Sequence, residues 1–411
     1  MVFWRSDFTE RQDVRRGGLR VNGPFVPHSE LAFEGSPEVV FGEGTLESIQ
    51  TLLARLGARR GFLVLDRPAY KASGAEARLE SIWRRFDVAI FEGFRPNPIL
   101  EDVERGLVAY REFEPDAIIA IGGGSALDMA KAIRACGNAP GSARERVTGP
   151  LPVTSGAPPL IAVPTTSGTG SEATHFAVVY VDGKKHSFSD PALRPDHAIL
   201  DPTLTYGLPP SVTVASGLDA VCQALESIWS VNATDRTEEL ARTAAAMALQ
   251  GLPEAVREGT PTSRRTMMAA AHLAGRAIDI TKTTAPHAAS YGLTSRFGTP
   301  HGLAVALTFP GFLRLNGSID DTNGNDPRGR EEARRKVAEV VRRLGARDIE
   351  EACAKWIGFL EILGAPTRLS EIGVKESDLG ALADGIDLVR LANHPRHVSK
   401  DEVMALLRER L

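Results

Sequence analysis

Apolar residues fall in short, breaker-bounded runs through the first half of the chain and at helical spacing through the second. Residues 39–41, 61–65, 88–90, 117–121, 160–163 and 176–180 are short apolar runs rich in Val and Ile, as in buried strands. Between them, 46–56 and 100–113 repeat apolar residues at i, i+3 and i+4, as amphipathic helices do. Strands alternating with helices predict a doubly wound, mostly parallel sheet. Past about residue 205 the β-branched runs give way to Ala, Leu, Glu and Arg. Segments 214–230, 237–255, 262–277, 287–296, 328–344, 349–363 and 400–411 then read as helices. The expected plan is an irregular lead-in at 1–30, an α/β domain at 31–205 and an all-α domain at 206–411, with a Gly/Asp/Asn-rich loop at 316–328.

The chain's 411 residues exceed one ordinary core, which supports two domains. A net charge of −4 leaves no basic field for nucleic acid or anionic lipid. No apolar run reaches the ~18 residues of a membrane helix, and residues 1–20 are too polar for a secretion signal. Cys136, Cys222 and Cys353 are an odd, widely spaced set, which points away from disulfides and toward the cytoplasm.

The chemistry starts at Ile121-Gly-Gly-Gly-Ser-Ala-Leu-Asp-Met-Ala-Lys131. A strand, three glycines and a helix start in that order let backbone N–H groups approach a pyrophosphate. Ser125 is read as the N-cap. Asp66 ends the 61–65 strand, where an acid can hold ribose hydroxyls and repel a 2′-phosphate, favouring NAD over NADP. Pro164-Thr-Thr-Ser-Gly-Thr-Gly-Ser-Glu-Ala173 follows another strand and reads as a hydroxyl-rich ligand loop. The cofactor set is Asp66, Asn97, Gly122, Gly123, Gly124, Ser125, Asp128, Thr165, Thr166, Ser167, Thr169 and Lys185. Lysine is scarce beside arginine, so Lys131, Lys185 and Lys282 stand out.

Asp219 and Gln223 lie at i and i+4 on one predicted helical face, and His287 and His301 follow downstream. A carboxylate with imidazoles is a sound set for a divalent metal. In this order and spacing the segments 122–131, 164–172, 217–226 and 287–302 resemble the GGGSxxDxxK, PTTxGTGSE, GxDAxxHxxE and HxxxH…PHG motifs of the group III, iron-containing alcohol dehydrogenases. The resemblance covers about residues 31–411. It implies a Rossmann-like domain, a helical domain of dehydroquinate synthase-like architecture, and an active site in the cleft between them. It further implies NAD(H), Fe²⁺ or Zn²⁺, and a dimer or larger homo-oligomer. Carried over by position, Asp219, His287 and His301 are metal ligands. Gln223 stands where the family usually has histidine, and Tyr291 where it often has a second, non-ligand histidine. A phenol there can relay a proton to the product alkoxide.

Ile280-Thr-Lys-Thr-Thr-Ala-Pro-His287 is unusual for the family, which commonly has small neutral residues there. Lys282, Thr283 and Thr284, with Arg276 nearby, suit a tetrahedral anion, and Lys282 and Tyr291 are taken as the catalytic pair. The pairing of this segment with Asp-Ala-Val-Cys-Gln resembles the phosphonoacetaldehyde reductases of phosphonate natural-product pathways. The expected reaction is NADH-dependent reduction of phosphonoacetaldehyde to 2-hydroxyethylphosphonate. The alternatives are a reductase of uncharged aldehydes or diols, a metal-free reductase, and a dehydroquinate synthase-like lyase.

Overall fold

The computed structural model describes residues 37–138, 141–149, 157–386 and 388–411; the lead-in at 1–30 lies outside them. The first half runs β1 (Glu38–Phe41), α1 (Ser48–Arg55), β2 (Arg60–Leu65), α2 (Arg67–Ala72), α3 (Ala75–Trp83), β3 (Asp87–Phe91), α4 (Leu100–Phe113), β4 (Ala117–Gly122), α5 (Gly124–Gly137), α6 (Ala143–Thr148), β5 (Leu160–Pro164), β6 (Phe176–Val181), β7 (Lys184–Ser189) and β8 (His197–Leu200). Six strands form one parallel sheet in the order β1-β8-β5-β4-β2-β3. Helices cover both faces, which is why β4 and β5 are buried at every position. From β2 the chain first moves outward to β3, then crosses back to β4. The order therefore reverses between β2 and β4, where ligands of doubly wound sheets bind beyond the strand ends.

The strand expected at 176–180 does not join this sheet. β6 pairs antiparallel with β7 in a separate two-stranded sheet, and a single parallel bridge among the described residues links its Tyr180 to Ile99 in the rest of the half. Asp182 and Gly183 both have positive φ, 51° and 74°, the geometry of a tight hairpin turn. β7, Lys-Lys-His-Ser-Phe-Ser, has no apolar run to announce it. Backbone pairing with β6 makes it a strand.

The second half is helical: α7 (Pro210–Trp229), α8 (Asp235–Arg257), α9 (Pro261–Thr281), α10 (Ala285–Phe297), α11 (His301–Asn316), α12 (Arg330–Arg343), α13 (Ile349–Ile362), α14 (Leu379–Asp384) and α15 (Lys400–Glu409). α11 is missing from the sequence expectation. It is buried on nearly every side and carries Pro310 inside, so it shows no polar stripe. Trp229 stacks on Phe309 at 5.2 Å and Phe309 meets Trp356 in a tilted pair at 4.6 Å, tying α7, α11 and α13 together. Burying each such side chain is worth roughly 1.5–3 kcal/mol. Cys136, Cys222 and Cys353 are free and buried. No described helix is long and apolar enough to cross a membrane.

Candidate active site

A cavity of about 520 Å³ lies between the sheet's switch point and the helical half. Its lining includes Asn97, Gly124, Ser125, Asp128, Thr169 and Lys185 from the first half. Asp219, Gln223, Lys282, Thr283, Thr284, His287, Tyr291 and His301 come from the second. Asp66, Gly122, Gly123, Thr165, Thr166, Ser167 and Arg276 do not line it.

At one end is the glycine turn. Gly122 has φ +155°, and a Cβ on it would stand 2.7 Å from Ala126 Cβ, so this position takes only glycine. Gly123, not Ser125, is the N-cap of α5. Ser125 sits inside the first turn, where its hydroxyl accepts the backbone N–H of Asn97 at 3.1 Å. The first residues of the 14-residue α5, Gly124 and Ser125, line the cavity and present the helix's partial positive end to it. Asp66 is beside Gly122 on the neighbouring strand. One of its oxygens caps α2, accepting the Ala69 N–H at 3.2 Å. Thr165 donates its N–H to Gly122 O at 2.9 Å, and Thr166 packs by Gly123. The Thr165 and Ser167 hydroxyls are buried without hydrogen-bond partners among the described residues. Asp128 is committed inward, accepting from Ser171 Oγ at 2.6 Å and from the Val178 N–H at 3.0 Å. Burial pushes its carboxyl up, against the pull of Lys131.

At the other end Asp219, His287 and His301 each offer a ligand atom, all within 4.8 Å of one another. Asp219 and Gln223 project from one face of α7, His287 from the first turn of α10, and His301 opens α11. Gly302 lets these helices meet: a Cβ there would lie 2.0 Å from Ala215 O and 2.7 Å from Asp219 N. Glu226, not anticipated as a site residue, sets the geometry. Its Oε1 takes the His287 Nδ1 at 2.5 Å, and its Oε2 accepts the Thr284 N–H and hydroxyl at 2.7 and 2.8 Å. His301 Nδ1 meets Ser290 Oγ at 3.2 Å. Both imidazoles thus spend Nδ1 on the protein and keep Nε2 for a ligand, as orienting partners do in metal sites. Burial works against a charged His287, but Glu226 and Asp219 outweigh it and push the imidazole up to about 10. Burial, with Lys185 adding to it, presses His301 down to about 3. The cluster therefore already stabilises one positive charge next to Asp219. Gln223 Oε1 is buried with no hydrogen-bond partner among the described residues. A carboxylate, two Nε2 atoms and an orphaned amide oxygen fit a divalent cation.

Between the ends are the residues expected to meet substrate. Tyr291 stacks on the His301 ring at 6.2 Å and lies under the Lys185 ammonium, 3.6 Å from its centroid. Lys282 caps α9 with φ +56° and ψ 176°, a backbone region nearly reserved for glycine that costs about 1–3 kcal/mol. Its Nζ lies 4.5 Å from the Phe176 ring centroid, 3.0 Å from His175 Nε2 and 3.2 Å from Asp279 O. Burial presses this ammonium down to about 8, Asp279 partly offsetting it. Thr283 faces the cavity. The Thr284 hydroxyl is spent on Glu226 and on the Trp229 indole N–H at 2.9 Å, so it buttresses His287. Arg276 is buried away from the cavity wall and pressed down to about 9 by burial. Glu226 had a faint sequence signal, one helical face shared with Asp219 and Gln223. His175 had none, since only the fold brings it to Lys282, whereas Asp279 lies one helical turn before Lys282 and went unremarked.

Comparison with known proteins agrees with this architecture. Residues 36–202 match the iron-containing alcohol dehydrogenase family, and residues 213–411 match the C-terminal domain of the Fe-containing alcohol dehydrogenase family. The chain is 30% identical over 390 residues to alcohol dehydrogenase 4 of Saccharomyces cerevisiae, covering 93% of this chain and 98% of that one. It is 33% identical over 310 residues to a phosphonoacetaldehyde reductase of Streptomyces viridochromogenes, covering 73% and 77%. Among solved structures, sulfoacetaldehyde reductase from Bifidobacterium kashiwanohense in complex with NAD⁺ superposes with a TM-score of 0.80 at 28% identity, covering 90% and 96%. The cleft thus has a glycine turn at a helix start at one end and a cluster fit for a cation at the other, and the chain belongs to the iron-containing alcohol dehydrogenases, enzymes that use NAD(H) and a divalent metal to interconvert alcohols and aldehydes.

Proposed function

We propose that the protein reduces a small aldehyde carrying a tetrahedral anion, most concretely phosphonoacetaldehyde to 2-hydroxyethylphosphonate. The observation that carries this reading is Lys282, a half-buried ammonium lining the same cavity as Asp219, His287 and His301. Two relatives support it: one is named for a phosphonate aldehyde, and the other for a sulfonate aldehyde.

When bound, a divalent ion supplies Lewis acidity toward a carbonyl oxygen, and NADH supplies the hydride. The chain's own residues do the rest. Asp219, His287, His301 and Gln223 hold the ion, with Glu226 fixing the His287 ring. The turn from Gly122 to Ser125 seats the pyrophosphate, Asp66 holds the ribose hydroxyls, and Asn97, the 165–169 loop and Lys185 lie around the cofactor, with Asp128 holding Ser171 and the Val178 N–H in place. Lys282 and Thr283 bind the anion and so orient the aldehyde carbon. Tyr291 holds a proton at its phenolic oxygen for the new alkoxide.

The test is the specificity constant for phosphonoacetaldehyde against butyraldehyde with NADH. The anionic substrate is expected to win by about 10²-fold, which one well-placed charge pair in a dry site supplies. Equal constants would return the protein to the uncharged aldehydes.

A further inference from the structure

Lys282 does not stand alone. His175, in the short link between the 164–173 loop and β6, presents Nε2 to Lys282 Nζ at 3.0 Å. Its Nδ1 faces Asp279 Oδ1 at 2.5 Å, and its backbone N–H donates to the same oxygen at 2.7 Å. The other oxygen of Asp279 accepts from Arg194 at 2.5 Å. A carboxylate at Nδ1 places the ring proton there, which makes Nε2 an acceptor for the ammonium. Arg194 already balances Asp279, the carboxylate that acts on Lys282. The ammonium's charge is therefore left over for whatever enters the cavity. His175 Nε2 and Asp279 O take two of its three N–H bonds, and no third hydrogen bond is made among the described residues.

The chain of contacts also spans the cleft. His175 and Arg194 belong to the α/β half, Asp279 and Lys282 to α9 and its cap. We propose that His175 is the specificity-determining positioning residue of the site: it aims the Lys282 ammonium at the substrate's anionic group and makes the enzyme prefer anionic over neutral aldehydes. This rests on the anionic-aldehyde reading above and adds a residue to it that touches neither metal nor cofactor. Lys282 keeps a backbone conformation fit for glycine, so its side chain is retained against a conformational cost.

The experiment compares H175N, H175Q and K282G in the metal- and NADH-loaded enzyme, with phosphonoacetaldehyde and butyraldehyde as substrates. Asn reproduces the Nδ1 contact to Asp279 but is too short for Lys282; Gln reaches the Nε2 position. H175N is expected to raise KM for phosphonoacetaldehyde about tenfold with kcat within about twofold, and to leave KM for butyraldehyde near its starting value. H175Q is expected to recover most of that loss. K282G is expected to collapse the ratio of the two specificity constants while the melting temperature holds or rises. If K282G collapses the ratio and H175N does not, the His175 assignment is wrong and the anionic-aldehyde reading survives. If neither variant changes the ratio, the anionic-aldehyde reading itself fails. Equal losses on both substrates in H175N, without recovery in H175Q, would reduce His175 to a purely structural part.

Discussion

The two ends of the cavity are built by different means. The dinucleotide end is made of backbone: a helix terminus, glycines and a hydroxyl-rich loop that follow directly from two parallel strands. The cation end is made of side chains from α7, α10 and α11, brought together only when those helices pack. Backbone sites tolerate change at most positions and fail at the few glycines that admit the ligand. Side-chain sites depend on every ligand and on the residues that hold each ligand still.

That contrast can be broken experimentally, most severely at the cation end. His287→Ala is expected to cut turnover at least about 10³-fold and empty the site by elemental analysis, while NADH binding followed by fluorescence stays unchanged. A parallel loss of NADH affinity would show that the two ends are not independent. Gly122→Val is the reciprocal cut. A side chain there collides with Ala126, so Kd for NADH should rise about 10²-fold with metal content intact. Glu226→Gln acts one step removed, through the His287 ring, and should weaken metal affinity by about 10–100-fold in a chelator competition.

A milder effect is one of pH. Lys282 loses its proton as pH rises through about 8, so kcat/KM for an anionic aldehyde should fall by about tenfold per unit above that value. Butyraldehyde should show no such step; the same step with both substrates would move its origin away from Lys282. Smallest is Gln223→His. Trading the orphaned amide oxygen for imidazole should tighten Zn²⁺ or Fe²⁺ binding about fivefold, and no change would show that residue 223 faces away from the ion.

The strand-then-helix rhythm of residues 39–163 and the Gly122–Ser125 turn could be read in one dimension. Their logic is local: apolar runs make strands, and glycines follow where backbone must approach a ligand. The candidate ligands Asp219, His287 and His301 were also readable, through spacing shared with a family, and the fold brings them together. Tertiary packing decided the rest. β7 became a strand only by pairing with β6, and α11 hid because a helix buried all round has no polar face to betray it. Thr284 proved to be a buttress, since its hydroxyl was claimed by Glu226 and Trp229. His175 met Lys282 and Asp279 across a hundred residues of chain. No local pattern encodes such a meeting, because hydrogen bonds between distant side chains cost nothing in sequence spacing and exist only once two packed halves close on each other.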